Sequence, residues 1–363
     1  MSRETVSAFG AAGLFFLTLG AGCHSAPAAP ATQASAAHAY PSVNGGSVER
    51  TDAALDALVP PGAKIELLAS GFTWAEGPVW TSDGGGALLF SDVPNNVIHR
   101  WNEREGLTEF VKPSGYTGKE PRKGNIGANG LAFDGEGRLV MCQHGDRRIA
   151  MLEADRSFRT IADTFEGKRF NSPNDLVLRS NGDVYFTDPT YGFEGAPAWV
   201  KHELPFSGVY RRTPGGAGAV TLLTKELSFP NGIAFSPDEK VLYVSSSDPD
   251  RAIWMAYDVT PEGGIANGRV FYDATAMVKA GKKGLPDGLK VDEHGNLFAG
   301  GPGGVLVFTP AGKLLGTIVT GEPTANVAFG PAPAGEAGSY LYMTAHDKLC
   351  RIRVTTSPAV RAQ

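Results

Sequence analysis

Six side chains that carry an oxygen ligand recur along the chain, and each one stands before a short apolar stretch. The copies begin at Glu76, Asn129, Asn174, Asn231, Asp287 and Asn326. Carboxylate and amide oxygens suit a hard divalent cation, and calcium accepts six to eight of them in irregular geometry. Side chains of this kind, brought together by a fold, can hold an ion and leave positions open for water or a substrate.

A cation in such a site supports the chemistry of ester hydrolysis. It can polarise a carbonyl oxygen and stabilise the negative charge that forms as water attacks the carbonyl carbon. A carboxylate beside the ion can accept the proton of the water and return it to the departing oxygen. The chain contains neither a GxSxG nor an HExxH motif, which argues against a serine hydrolase and a zinc protease.

The spacing of the copies predicts the elements that position them. Successive copies lie about 40 to 57 residues apart, a period typical of propeller blades. We therefore predict an all-β fold, a six-bladed β-propeller, in which the same strand of each blade brings its oxygen to one central axis. Residues 64–68 and 349–354 have no repeat of their own, so we expect them to share the last blade and close the ring.

The N-terminal segment has the features of an export signal. Arg3 precedes an apolar stretch, residues 8–22, that is short for a bilayer span but suits the core of a signal peptide. The residues before Cys23 resemble a bacterial lipobox, although the leucine lies one place further from the cysteine than usual. We expect residues 1–22 to be removed and Cys23 to carry a lipid, with an ordinary signal peptide cut nearby as the alternative. Either case predicts export to the periplasm or cell envelope.

Composition divides the rest of the chain. We expect an Ala/Pro/Ser-rich disordered tether over 23–50, a single propeller domain over 51–356 and a C-terminal tail over 357–363. The formal net charge of -5 provides no basic surface for nucleic acid. No obligate protein partner is evident, and we expect membrane contact only through a lipid anchor. Cys142 and Cys350 lie in repeats that are not adjacent, so we expect two buried thiols.

Several motifs together resemble the SMP-30/gluconolactonase family of six-bladed propellers. They are Glu76-Gly-Pro-Val-Trp80, Leu88-Leu-Phe-Ser-Asp92, Asn174-Asp175, Asn231-Gly-Ile-Ala-Phe-Ser236 and Leu285-Pro-Asp-Gly-Leu289. The resemblance implies an enzyme that hydrolyses sugar lactones with a divalent ion, usually calcium. It also implies that Glu76, Asn174, Asn231 and Asp287 hold the ion. Asp287 is in addition the expected general acid/base, since the ion keeps it ionised and its short side chain leaves one oxygen free.

Other polar residues have two interpretations each. His144 can contact the substrate or shuttle protons at the channel mouth, or it can be satisfied within a hairpin. Asn129 and Asn326 can contact the substrate, or they can belong to ordinary turns. Asp248 and Asp250 can bind a second calcium, or they can lie in a solvated loop.

The identity of the substrate stays open at this stage. Animal members of the family carry a sugar-contacting arginine where this chain has Ser172. The leading hypothesis is a calcium-dependent hydrolase of a small-molecule lactone or ester, and the second is the same fold acting on another ester, such as an aryl or phosphate ester. The third is a non-enzymatic propeller that only binds a ligand. Magnesium, manganese or zinc can also occupy an oxygen site.

Overall fold

The structure, a computed structural model, describes residues 40–215, 219–333 and 335–359. The predicted signal peptide, Cys23 and most of the predicted tether lie outside these residues. Strands dominate the described chain, and the helical segments in it are short: 3-10 turns at Ala53–Ala57, Asp83–Gly85 and Tyr191–Phe193, and α1 at Thr275–Lys279. Among the described residues, no helix has the length and apolar character needed to cross a bilayer.

Two strands precede the repeats, and the first three blades follow them. The two early strands are β1 (Ser47–Arg50) and β2 (Glu66–Ser70). Blade 1 contains β3 (Ala75–Thr81), β4 (Ala87–Asp92), β5 (Val97–Asn102) and β6 (Gly106–Val111). Blade 2 contains β7 (Ala128–Phe133), β8 (Leu139–Gln143), β9 (Arg148–Leu152) and β10 (Phe158–Ala162). A small hairpin, β11 (Thr164–Phe165) and β12 (Lys168–Arg169), leads to blade 3, which contains β13 (Leu176–Leu178), β14 (Val184–Asp188), β15 (Gly208–Arg212) and β16 (Val220–Thr224).

The second half of the chain repeats the same antiparallel pattern. Blade 4 contains β17 (Pro230–Phe235), β18 (Val241–Asp248), β19 (Arg251–Val259) and β20 (Ile265–Asp273). Blade 5 contains β21 (Leu289–Val291), β22 (Leu297–Gly301), β23 (Gly304–Phe308) and β24 (Leu314–Val319). Blade 6 contains β25 (Thr324–Pro331), β26 (Ser339–Ala345) and β27 (Lys348–Val354). The inner strands β3, β7, β13, β17, β21 and β25 contact one another in this order, and β25 returns to β3.

The apolar residues of each blade face both of its neighbours. In β4, Leu88 and Phe90 pack in a cluster shared with blade 6, whereas Leu89 between them packs in a cluster shared with blade 2. This alternation follows from the two-residue period of a strand, and it explains why the middle strands are apolar on both faces. The described core consists of six such clusters, one between each pair of adjacent blades. The structure thus confirms the predicted six-bladed propeller.

The ring closes as the sequence predicts. Strand β2 forms the outermost strand of blade 6, and Glu66 pairs with Arg351 of β27. The Arg351 side chain lies over the Tyr340 ring at 3.9 Å, and its Nε donates to Glu66 Oε2 over 2.6 Å. The first and last parts of the described chain are thereby joined in one sheet, which closes the ring within blade 6.

Strand β1 corrects the expected boundary of the tether. The tether was predicted to extend to residue 50, but residues 47–50 pair with β24 as a fifth strand of blade 5. Val43 is also buried, in the cluster between blades 5 and 6. Backbone pairing with the free edge of β24 and burial of apolar side chains stabilise this segment. Cys142 and Cys350 are free and buried, as expected.

Candidate active site and metal centre

Each inner strand carries its site residue at an irregular point. In blades 1, 2, 4 and 6 the inner strand shifts register within three residues of Glu76, Ala128, Pro230 and Thr324, respectively. In blades 3 and 5 the regular strand begins only at Leu176 and Leu289, two residues after Asn174 and Asp287. A bulge twists the strand and changes the direction of a side chain. The polar side chains can therefore face the central channel while the residues after them pack between blades.

Five of the six recurring residues come together around one cavity of about 690 Å³. They are Glu76, Asn129, Asn174, Asn231 and Asp287, and His144 lines the same cavity. The four residues expected to hold a metal ion are therefore neighbours, although they lie in blades 1, 3, 4 and 5. Pocket volumes of this size are typical of small-molecule sites.

Asn326, the sixth recurring residue, does not join the other five around the cavity. The strand pairing aligns the two blades: Val327 of β25 pairs with Met343, and Leu131 of β7 pairs with Met141. Val327 therefore corresponds to Leu131. Asn326, one residue earlier, corresponds to Gly130 and not to Asn129. Asn326 is buried behind the ring of cavity residues, where its Nδ2 lies 3.4 Å from Asp175 Oδ2. The expected substrate contact by Asn326 therefore has no support in this geometry.

The asparagine side chains form a directed chain of hydrogen bonds. Asn129 Nδ2 donates to Asn174 Oδ1 over 2.6 Å, and Asn174 Nδ2 donates to Asn231 Oδ1 over 2.6 Å. Asn231 Nδ2 continues to Ser247 Oγ over 3.0 Å, and that hydroxyl donates to the Pro286 carbonyl over 2.6 Å. The chain begins at Asn129 Oδ1, which is buried and has no hydrogen-bond partner among the described residues. Each amide is oriented by the next one, so the oxygens are arranged before any ligand binds.

His144 belongs to the cavity wall. Its Nε2 lies 3.2 Å from Asn174 Oδ1, and its Nδ1 has no hydrogen-bond partner among the described residues. Burial lowers the pKa of His144 to about 4. The imidazole is therefore neutral near pH 7, and its Nε2 lies beside the amide oxygen that accepts from Asn129.

Burial makes the ionised form of the two ring carboxylates, Glu76 and Asp287, unfavourable. Burial raises the pKa of Glu76 well above its usual range, and the nearby Asp175 adds to this effect. Burial and the adjacent Glu76 likewise raise the pKa of Asp287. Backbone N–H groups of Gly77 and Gly288 each donate to the preceding carboxylate over 3.0 Å but do not offset the burial. A positive charge between these carboxylates would favour their ionised form.

The donor set fits a hard cation. Two carboxylates and two amide oxygens surround one cavity, and the free Asn129 oxygen lies beside them. No three Asp, Glu, His or Cys side chains of the described chain are grouped closely enough to hold a metal ion by themselves. A site here must accordingly combine acid and amide oxygens, which suits calcium better than a soft metal.

Two further residues of the cavity have no motif in the sequence. Tyr191 lies in the loop between β14 and β15, and its buried hydroxyl has no hydrogen-bond partner among the described residues. Ser247 ends the run of three serines in β18, opposite the strand of Asn231. That run, at the end of an inner hairpin, was the available signal for Ser247. Tyr191 reaches the cavity through the tertiary packing of a loop, and no local sequence pattern indicates this position.

Asp188 holds the segment that leads to Asn174. Its carboxylate accepts from the backbone N–H groups of Asn171 and Ser172 over 2.8 and 2.7 Å. The Ser172 hydroxyl donates to the Pro189 carbonyl over 2.6 Å and is fully buried. Ser172 therefore has a structural role in this chain. Asp248 and Asp250 form the tight turn between β18 and β19, in which Asp250 N donates to Asp248 Oδ1 over 2.9 Å.

Comparisons with known proteins agree with this architecture. Residues 74–347 match the family model of the SMP-30/Gluconolactonase/LRE-like region. The gluconolactonase of Zymomonas mobilis is 37% identical over 318 residues, which cover 86% of this chain and 87% of that protein. A solved gluconolactonase from Xanthomonas campestris superposes with a TM-score of 0.74 at 31% identity, over 87% of this chain and 98% of the other. The calcium-binding protein regucalcin from Agrobacterium tumefaciens shares the fold, with a TM-score of 0.61 at 19% identity over 82% of this chain and 96% of the other.

The match covers the inner strands of all six blades and the five recurring residues that line the cavity. The predicted family resemblance is thereby confirmed, and the chain belongs to the SMP-30/gluconolactonase/LRE-like family.

Proposed function

We propose that this protein is a metal-dependent hydrolase that opens a sugar lactone. The observation that carries the proposal is the ring of Glu76, Asn174, Asn231 and Asp287 around one cavity. It occurs in a chain that is 37% identical to a gluconolactonase over 86% of its length. The residues and the relationship support the same chemistry independently.

Glu76, Asn174, Asn231 and Asp287 would hold the cation, with calcium as the expected ion and magnesium, manganese or zinc as alternatives. When bound, the ion supplies a positive charge that polarises the lactone carbonyl and stabilises the negative charge on its oxygen. The amide chain that starts at Asn129 keeps the Asn174 and Asn231 oxygens in place. Glu76 contributes a negative charge from a buried position, so the site favours occupation by a divalent ion over occupation by water.

Asp287 is suited to move the proton in this reaction. Its carboxylate is partly accessible from the cavity, and one of its oxygens is held by the Gly288 N–H over 3.0 Å. The free oxygen would accept a proton from the attacking water as the new bond to the carbonyl carbon forms. The same proton would then pass to the ring oxygen as the ring C–O bond breaks, which yields a hydroxy acid and regenerates the carboxylate.

Polar groups around the ring can bind the hydroxyls of a sugar. Within the described residues, Asn129 Oδ1 is an acceptor without a hydrogen-bond partner, His144 Nδ1 is a ring nitrogen without one, and the Tyr191 hydroxyl is a donor without one. Tyr191, His144 and Asn129 all line the cavity. A buried acceptor or donor without a partner favours a ligand that supplies the missing hydrogen bond. We propose substrate contacts for these three residues.

The test is elemental analysis of the purified protein combined with hydrolysis assays on a panel of esters. The panel should include an aldonolactone, an aryl ester and a phosphotriester. We expect a stoichiometric divalent metal and fastest turnover on the lactone. Fastest turnover on the phosphotriester would favour the second functional hypothesis, and absence of turnover with tight ligand binding would favour the third.

We also propose that the protein is exported and anchored through a lipid on Cys23. The proposal rests on the short apolar stretch 8–22 and the lipobox-like residues before the cysteine. Residues 1–39 lie outside the described part of the chain.

A further inference from the structure

The residue after each site residue lies where neighbouring inner strands approach closely. Four blades have glycine there: Gly77, Gly130, Gly232 and Gly288. A Cβ added to Gly77 would lie 1.9 Å from the Asn129 carbonyl oxygen, and one added to Gly232 would lie 2.4 Å from the Asp287 carbonyl oxygen. Any side chain at these positions would collide with the next blade, so the glycines are required by space.

Blades 3 and 6 break this rule, with Asp175 and Asn326 at the glycine position. The two side chains meet behind the ring, where Asn326 Nδ2 donates to Asp175 Oδ2 over 3.4 Å. A Cβ on Gly130 would lie 2.5 Å from Asp175 Oδ1, and one on Gly288 would lie 2.0 Å from Asn326 Cγ. The glycines of the neighbouring blades thus provide the space in which Asp175 and Asn326 fit.

Lys290 of β21 completes a charged group, which we name the axial cluster: Asp175, Asn326 and Lys290. The Lys290 Nζ donates to Asn326 Oδ1 over 3.4 Å, so the Asn326 amide bridges the ammonium and the carboxylate. Asp175 and Asn326 are each 2% exposed. The Leu176 N–H donates to Asp175 Oδ1 over 2.9 Å and fixes the carboxylate. The cluster therefore holds one negative charge that is shielded from water and one positive charge, on Lys290, that is only half-buried.

The axial cluster acts on the ring through its charges. Asp175 directly follows the ring residue Asn174, and its Oδ1 would lie 2.5 Å from a Cβ on Gly130, the residue after Asn129, so its negative charge lies beside the ring. Within the described chain, Asp175, Glu76 and Asp287 do not form a three-carboxylate metal group. Asp175 thus lies behind the ligands as a buried charge, and a charge in a poorly hydrated region still attracts or repels a nearby ion.

We infer that Asp175 and Lys290 are positioning residues that set the cation affinity of the ring from behind it, with opposite signs. Asp175 strengthens binding because its negative charge adds to that of Glu76 and Asp287. Lys290 weakens binding because its positive charge opposes the ion. The inference deepens the proposed function and rests on it, since it concerns the same cation site. Groups one layer behind a metal commonly change its affinity by about 10- to 100-fold.

The test is calorimetric titration of calcium into chelator-treated full-length protein, at one pH and one ionic strength. Asp175→Asn should weaken binding by about 10- to 100-fold. Lys290→Met removes the charge but keeps the length of the side chain, and it should tighten binding. Lys240→Met is the matched control, because the Lys240 side chain is 79% exposed and its charge is screened by water.

Opposite shifts separate an electrostatic role from a merely structural one. If both Asp175→Asn and Lys290→Met weakened binding, or if neither differed from Lys240→Met, the inference would be overturned while the proposed function stood. A wild-type protein that binds no divalent ion would overturn the proposed function together with this inference. Lys290→Met decides the question by itself if Asp175→Asn fails to fold, as judged by its melting temperature.

Discussion

Asn174 and Asn231 lie 57 residues apart in the chain, yet the side-chain Nδ2 of the first lies 2.6 Å from Oδ1 of the second. Blades 3 and 4 are thus joined directly at the centre of the candidate site. This bond uses one lone pair of the Asn231 oxygen and leaves the other for a ligand. The geometry of the ring is fixed by the protein itself, and a ligand needs to order little on binding.

Glu76→Gln should weaken divalent-ion binding while the propeller stays folded. Glutamine keeps an oxygen and nearly the same shape, but it removes one of the two carboxylate charges of the ring. We expect at least the roughly 10-fold loss seen for changes one layer further out. The measurement is the calcium dissociation constant, with Glu49→Gln as the control, because the Glu49 side chain is 56% exposed. An affinity equal to wild type would exclude Glu76 as a ligand.

Asp287→Asn should retain an oxygen for the ion but lose the proton acceptor. Turnover of the lactone at saturating calcium should fall by roughly 10²- to 10⁴-fold, the usual contribution of a positioned acid/base group. Asn129→Asp is the comparison variant, and we expect a milder loss because Asn129 is not an expected ligand. Initial rates test this, with the melting temperature as a check of folding.

The opposite result would show that Asp287 is not the proton acceptor. If Asp287→Asn turned over substrate at the wild-type rate while a folded Asn129→Asp was inactive, the proton acceptor would have to be sought near blade 2. His144, whose Nδ1 has no hydrogen-bond partner among the described residues, would then be the next candidate.

The fold and most of the ring could be predicted because they depend on local patterns. A polar residue before a short apolar strand is visible in the sequence, and its spacing predicts the blades. Asn326 shows the limit of this reasoning. It precedes an apolar strand, but in the register of the inner strands its position is one residue later than that of Asn129. The bulges determine this register, and they depend on strand pairing, which the sequence does not display.

Other features depend on contacts that are distant in sequence. Asp175 followed Asn174 in a recognised motif, but its place behind the ring required the positions of Gly130 and Asn326. Tyr191 enters the cavity from a loop. Strand β1 extends blade 5 because it pairs with β24, although Ser47 and Arg50 have no apolar character.

Asp188 should make the protein less stable as pH rises. Burial raises the pKa of Asp188 from 3.8 to about 7, while Arg147 opposes the shift. The native state therefore holds a proton that the unfolded chain releases above about pH 4, so stability falls between about pH 4 and pH 7. The loss from this group is at most about 4 kcal/mol, at 1.36 kcal/mol per pKa unit.

Urea unfolding of wild type and Asp188→Asn at about pH 5 and about pH 8 measures this effect. Asparagine cannot accept both backbone N–H groups of Asn171 and Ser172, so the variant should be less stable at the lower pH. Its deficit should shrink at the higher pH, where wild type bears the cost of ionisation. A deficit that grows with pH would show that the Asp188 carboxylate is stabilising when ionised.

Cys23→Ser should release the protein from the membrane fraction. We expect wild-type protein to lack residues 1–22 and to carry a lipid on Cys23, because of the apolar stretch that ends before it. Mass spectrometry of the membrane fraction detects both changes. Cytoplasmic protein that retains Met1 would refute export.

The most direct measurement is the initial rate of lactone hydrolysis by protein stripped of metal, before and after divalent ion is restored. No lysine or arginine among the described residues lines the cavity, so no side chain there can replace the charge of the ion. We predict that stripping abolishes turnover and that calcium or another divalent ion restores it. Full activity in protein shown by elemental analysis to be free of metal would contradict the proposed role of the ring.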